Sequence, residues 1–501
     1  MSTTLAPDSQ LKDLGYQPSL NRQLPFGSLL VYGLLFFVPM APVAVFGLVV
    51  NRSGGVPVLV YLVAAAVMGL SAISYREMAL RFPVAGSVYG YTRFSLGRTP
   101  GFIAGWLILL DYILMPALLT VLSAVALAHI WPSVPMGIFS LVFVFASMAL
   151  NLQGMTVTTR VGIVLLTIQL ATIAFFLVCV GLGLAGGGVV WSWHALWRSG
   201  TSWTSVASAV SIAALSYLGF DAVATLNEEA RGGGRAVGIA TLSLVGMLAV
   251  LFGIQVMAAG LVSDATHFAP GGATDRAFYH AVDTVCPAWF IPVFTVVNAF
   301  VAIFACLVVA HSSTARLIFA MARDKVMPPA LSRTNSKGVP WVAIIVVATV
   351  TAILAITFDS HVETMTTLVT FGALSSYVLL HADVIVQCIV KERSHNWVRH
   401  LIVPILGALT LLVALAKTEE MTRIVGLGWL AAGIIGAVIA RVRHSASRGH
   451  RGILTIPQIN RSLSPKPAHC SYRAYRDEDV CVDREYAEAS KPAGPAGDVL
   501  R

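Results

Sequence analysis

The sequence predicts an all-α, polytopic membrane protein with twelve transmembrane helices, and three observations carry that prediction. Of 501 residues, 57% are hydrophobic and only 11% are charged, too little charge to cover a soluble protein of this length; the mean hydropathy is +0.79. Apolar runs recur at the length of roughly 18 to 25 residues that a helix needs to cross a bilayer. Lysine and arginine are distributed unequally between alternate connections.

The runs fall at 29–50, 57–79, 102–129, 134–150, 160–185, 204–228, 237–262, 289–316, 341–358, 364–390, 399–416 and 422–442. Residues 1–24 are polar and lack a charged, apolar and cleavable series, so the first run is expected to be a retained span. With both termini cytoplasmic, seventeen Lys and Arg lie on inside segments, against Arg52, Arg198, Arg276, Lys417 and Arg423 outside. That asymmetry fits the positive-inside rule in one direction only, with the cytoplasmic (inner) membrane as the expected location. Much of the net charge of +9 then serves topology, and no nucleic-acid partner is expected.

Three regions follow: a cytoplasmic segment 1–24, a twelve-helix domain 25–443, and a tail 444–501 rich in Pro, Ser, Arg and acids that reads as disordered and cytoplasmic. Arg441, Arg443, Arg448, Arg451 and Arg461 suit anionic lipid or simply topology. Trp191, Trp193, Trp197 and Trp203 read as interface anchors. Cysteines 179, 286, 306, 388, 470 and 481 show no paired spacing, so neither disulfides nor zinc are expected.

Span 1 contains FVPMAPVAVFG and span 6 contains SYLGFDAVA. Proline inside a helix removes a backbone bond, and in lipid the freed groups need other partners. Breaks at corresponding places in two halves point to an inverted-repeat transporter; a plain kink and a packing glycine are the other reading.

Charge at membrane depth is the main functional signal, because a carboxylate near a helix centre costs about 2.5–3.5 kcal/mol. Asp221 lies deep in span 6, with Glu228 and Glu229 toward its inner end and Asp111 and Tyr112 paired in span 3. Asp221 and Glu228 share a face if the helix is continuous. The spans offer hardly any deep Lys or Arg, so the positive partner is expected from outside: an amine, a proton or a metal ion. Tyr112, Tyr217 and Phe220 could present ring faces to an ammonium. Structural readings compete: a packed carboxyl for Asp221, a salt bridge to Arg231 or Arg235 for Glu229, a backbone bond for Asp111 and core packing for the rings. No HExxH or Walker sequence occurs, RGGGR reads as a flexible loop, and neither enzyme activity nor a cofactor or resident metal is expected.

Five stretches resemble the amino acid–polyamine–organocation transporter superfamily: RFPVAGSVYGYTRFSLG (81–97), GFIAGWLILLDYILMPAL (101–118), SYLGFDAVATLNEEARGGGRAVGIA (216–240), ARLIFAMARDKVMP (315–328) and FGALSSYVLLHADVI (371–385). Within it the chain is most similar to bacterial putrescine importers. The resemblance implies a five-plus-five inverted repeat with broken helices 1 and 6, two further helices, and secondary transport by alternating access. In the family the residue after the span 6 GF often lines the substrate site, which matches Asp221; its acidic residues at the end of that span match Glu228 and Glu229, and its span 3 aromatic matches Tyr112. Joined to the reading of the residues, this gives a substrate site at Asp221, Glu228, Phe220 and Tyr112, with Glu229 and Asp111 as gate or coupling residues. The Gly-Ser-Gly-type run that binds a carboxylate in amino acid permeases is replaced here by VPMAPVAVFG, placing Pro42 at that site. Where many members carry a span 5 lysine, Gln169 stands. An organic cation such as putrescine is therefore the expected substrate, with a proton or other cation as a coupling partner; an amino acid permease and a non-transporting nutrient sensor are the rivals.

Overall fold

The computed structural model describes residues 11–451 apart from residues 13, 17–19, 131–132, 270–271, 359–361 and 417–419. Among the described residues there is no strand, only an isolated parallel bridge between Leu24 and Ala230. Contacts divide the chain into Met1–Arg443 and His444–Arg501. Of the tail, only helical residues 444–451 are described; Cys470 and Cys481 lie outside the described residues.

Each expected run is largely helical, but 29–50 is interrupted after Phe37 and 204–228 is interrupted at 216–219 and passes into turns after Ala224. Among the described residues eight helices are long and apolar enough to cross a membrane, or nine if one bent pair counts as a span. The bent pair is α1 (Phe26–Phe37) and α2 (Pro42–Ser53), which meet at 56°. The eight include α3 (Pro57–Arg81), α5 (Arg98–Ile130), α7 (Met155–Ala185), α10 (Gly233–Ser263), α12 (Phe290–Arg323), and α14 (Val362–Val384), which continues to Lys391 through a π turn. The other two are Val398–Ala416 and the start of Glu420–Arg451. Met136–Leu152 (α6), Trp203–Leu215 (α8) and Trp341–Thr357 (α13) are apolar but shorter. Short helices α4 (Ser87–Ser95), α9 (Phe220–Ala224) and α11 (Ala277–Val285) complete the parts used below. The connection between α10 and α12 carries α11, whose Phe278 meets Phe46 of α2 edge-on at 5.6 Å.

Leu182, Val250 and Val413 are more than half exposed, as lipid-facing side chains would be, while the interior is filled with Ala, Gly and buried aromatics. RGGGR is not a flexible loop: α10 starts at Gly233. A Cβ on Gly234 would fall 1.8 Å from the Ala79 carbonyl oxygen of α3, so the run is small because two backbones touch there. His381 bonds Ser74 and Ser71 through its two ring nitrogens, at 2.9 and 3.1 Å. His311 likewise bonds Ser147 and the Ile344 carbonyl. Cys179, Cys286, Cys306 and Cys388 are buried and free. No group of three metal-type ligands occurs among the described residues.

Both expected interruptions are breaks. α1 stops before Val38, whose φ of 52 is outside the helical range, and Pro42 opens α2, where its missing N–H costs nothing. The freed carbonyls find partners: Cys306 Sγ donates to Phe36 O at 3.0 Å and Gln255 Nε2 to Pro39 O at 3.0 Å. α8 and α9 are separated by Ser216–Gly219, and Gly219 holds φ 123 with Phe36 so close that a Cβ would sit 2.1 Å from its ring. We expect Gly219→Ala to cost about 1–3 kcal/mol through backbone strain alone, with the clash adding to it. Thermal unfolding of the purified variant should show a lower midpoint.

Candidate substrate site

The break before α9 places Asp221 in the first turn after an interruption, not midway along a helix. The side chain is 1% exposed. Tyr112 Oη of α5 donates to Oδ2 at 2.6 Å, and Tyr377 Oη of α14 donates to Oδ1 at 2.7 Å. Among the described residues no Lys or Arg bonds this carboxylate. Asp111, one residue from Tyr112 and also buried, is close enough to act on it electrostatically.

Aromatic rings wall the carboxylate. Phe220 stacks on Tyr377 at 5.3 Å and meets Tyr75 of α3 edge-on at 5.3 Å, while Tyr75 meets Tyr377 at 5.5 Å. Phe37, last residue of α1, lies 6.3 Å from Phe220, so both breaks reach the same place. Thr314 of α12 pins the Tyr112 carbonyl at 2.5 Å. Elements distant in sequence thus converge on one buried acid with electron-rich faces around it, an arrangement suited to a small cation. Tyr217 does not join it: its hydroxyl donates to the Tyr61 carbonyl at 3.2 Å and its ring packs on Phe252. Pro42 starts α2 just past the break. Gln169 is buried on α7 with Nε2 on Leu165 O at 3.4 Å, and its Oε1 has no partner among the described residues.

The expected face shared by Asp221 and Glu228 does not form. α9 ends at Ala224 and turns follow, so the seven-residue spacing carries no helical register. The expected shortage of fixed positive charge is also corrected for the two glutamates. Glu228 takes both Nη atoms of Arg323, at 2.6 and 2.8 Å, and the Ala85 N–H at 2.8 Å. Glu229 pairs with Arg316 Nε at 2.5 Å, not with Arg231 or Arg235. α12 extends beyond the apolar run to Arg323, and Arg316 and Arg323, seven apart on it, share one face.

The N-terminal segment covers this ionic cluster. Arg323 lies over the Tyr16 ring at 4.0 Å. Tyr16 and Tyr89 each donate to Asp324, at 2.7 Å, and Arg93 pairs with the same carboxylate. Burial pushes the Tyr16 phenol above its ordinary range against the pull of Arg93 and Arg323, so it stays a donor. Leu24 N bonds Glu229 O, and Arg231 N bonds Leu24 O, both at 3.0 Å, tying the start of α1 to the glutamate turn.

Tyr75, Tyr377, Arg316, Arg323 and Tyr16 were not legible as site residues. Tyr377 lies within FGALSSYVLLHADVI, and both arginines within ARLIFAMARDKVMP, but those stretches signalled only a family.

An all-helical membrane bundle, broken at two places around an occluded acid, has the build of a small-molecule transporter. The family profile described as amino acid permease matches residues 27–432, and the chain belongs to that family of amino acid–polyamine–organocation transporters. The low-affinity putrescine importer PlaP of Escherichia coli K12 is 27% identical over 434 residues, covering 83% of this chain and 93% of that protein. The branched-chain amino acid permease BcaP of Bacillus subtilis is 24% identical over 457 residues (86% and 95%). The methylthioribose transporter of the same species is 25% identical over 401 residues (75% and 83%). The protein is a multi-pass membrane transporter and not an enzyme.

Proposed function

We propose that the protein imports an organic diamine, putrescine or a close relative, across the cytoplasmic membrane by alternating access. The supporting observation is Asp221: a buried carboxylate with two tyrosine hydroxyls, aromatic walls and no arginine or lysine bonded to it. A carboxylate offers about four acceptor positions, so an ammonium can add to the two phenols. Phe220 and Tyr112 line the site with Tyr75 and Tyr377, Pro42 and Phe37 bound it from the first break, and Asp111 supplies a second acid within electrostatic reach. The putrescine importer among the relatives supports the same substrate class.

In this reading the chain has twelve spans in a five-plus-five inverted repeat plus two, both termini cytoplasmic, and spans 1 and 6 broken. Glu228 and Glu229 act as gate residues, closing the cytoplasmic side through Arg323 and Arg316. Gln169 carries no charge to exchange with a coupling ion, so the membrane potential is the natural drive. A dication gains about 4.6 kcal/mol per 100 mV moving inward.

The second reading, an amino acid permease, draws on the branched-chain relative. It needs backbone N–H groups at the first break for the substrate carboxylate, where Pro39 and Pro42 donate none and Gln255 already holds the Pro39 carbonyl. Uptake of labelled putrescine by proteoliposomes, with unlabelled diamines and amino acids as competitors, separates the two. Competition by amino acids alone rejects the diamine. Tyr377→Phe removes one hydroxyl from a charged acceptor, a bond worth about 1.5–3 kcal/mol. We expect apparent putrescine affinity to change at least tenfold, read from competition binding, with Tyr112→Phe behaving alike.

A further inference from the structure

Away from Asp221, a cavity of about 770 Å3 opens beside the N-terminal segment, between the start of α7, the end of α12 and the 336–340 connection. Arg160, Arg231, Lys337 and Arg316 line it, with Glu229 as the one acid among its walls. Glu229 is already spent on Arg316 Nε. Arg160, Arg231 and Lys337 are exposed, and among the described residues their side chains make no ion pair or hydrogen bond. Arg316 is 4% exposed and uses Nε on Glu229 and Nη1 on Ser312, which leaves Nη2 without a hydrogen-bond partner among the described residues.

The start of α7 adds to this. Gly154 caps that 31-residue helix with φ 98, and Gly154, Met155 and Thr156 all line the cavity, so the unpaired N–H groups of the first turn add partial positive charge there. An excess of positive side chains explains orientation in a membrane, but it does not explain their convergence on one hollow from four separate parts of the chain with no free acid. Such a hollow repels an ammonium cargo. A compact, multiply charged anion satisfies it, because several cations can share its oxygens through charge-assisted bonds.

We propose that this cavity binds a phosphate group, held by Arg160, Lys337, Arg231 and the free edge of Arg316. Free phosphate and an anionic lipid headgroup present the same chemistry to this site, and the test separates them. The proposal stands independently of the transported substrate.

Full-length protein in detergent is titrated with inorganic pyrophosphate by calorimetry. In parallel, its thermal unfolding is followed in phosphatidylcholine nanodiscs with and without phosphatidylglycerol. The double variant Arg160→Gln/Lys337→Gln, neither residue belonging to the Asp221 site or its closure, is compared after showing that its unfolding without ligand matches the parent. Saturable pyrophosphate binding that weakens at least tenfold in the variant, and with added salt, supports the site. Phosphatidylglycerol stabilisation present in the parent and lost in the variant supports it too and identifies a lipid headgroup. Pyrophosphate binding without a variant-sensitive lipid effect identifies free phosphate. Absence of both effects, or equal effects in parent and variant, overturns the proposal.

Discussion

Replacing Asp221 by Asn is expected to weaken putrescine binding at least a hundredfold while leaving the protein folded in the membrane. The side chain is buried at 1% exposure, so an ammonium beside it is desolvated, and removing one partner of such a pair costs about 3–5 kcal/mol. The fold pays far less. An amide keeps the carboxylate's shape, its oxygen accepts the hydroxyl of Tyr112 or Tyr377, and only one phenol must turn elsewhere, at about 1 kcal/mol. Scintillation proximity binding to purified protein, beside its melting curve, checks both halves. Normal affinity in a well-folded variant would remove Asp221 from the ammonium site.

The second large effect is expected at Glu228. Its two oxygens hold Arg323 at 2.6 and 2.8 Å and the Ala85 N–H at 2.8 Å, and the arginine side chain is only 15% exposed. Glu228→Gln leaves that guanidinium buried without a counter-charge, again about 3–5 kcal/mol against the closed arrangement. The population should move to conformations in which this end is open. In a cysteine-free background, a cysteine at position 85 should then react with an impermeant thiol reagent at least tenfold faster in inside-out vesicles. Exchanging the pair, Glu228→Arg with Arg323→Glu, restores the attraction and loses the Ala85 bond, so labelling should slow part of the way back. Equal labelling of Glu228→Gln and parent would show that the pair does not close the protein.

Helices were readable from the sequence because lipid imposes a single rule on it: long apolar stretches with few charges. The two breaks were readable for a related reason, since Pro39, Pro42 and Gly219 stand where apolar runs should be uniform. The stop after Ala224 was not, because FDAVATLNEEA contains no proline or glycine and the chain turns there under tertiary constraint. The buried acid at 221 announced itself by its cost. Its tyrosines were less visible: Tyr112 neighboured another polar residue, but Tyr377 looked like any aromatic in a span. The arginines were hidden differently. Arg316 ends an apolar run and Arg323 follows it, where topology alone accounts for basic residues, and their glutamates are 87 and 95 residues away. No local pattern encodes such a pairing.

Tyr16 stands only ten positions ahead of the first residue of α1, and Leu24 is sewn to the chain on both sides of Ala230. Under the proposed alternating access, the bolt is therefore mounted on the moving leaf. If α1 swings away, it must drag the tyrosine from beneath Arg323, and if the tyrosine is held, α1 cannot swing. Tilting and unsealing should consequently register as one kinetic phase, and paired fluorophores on the segment and on α1 would relax with a shared time constant.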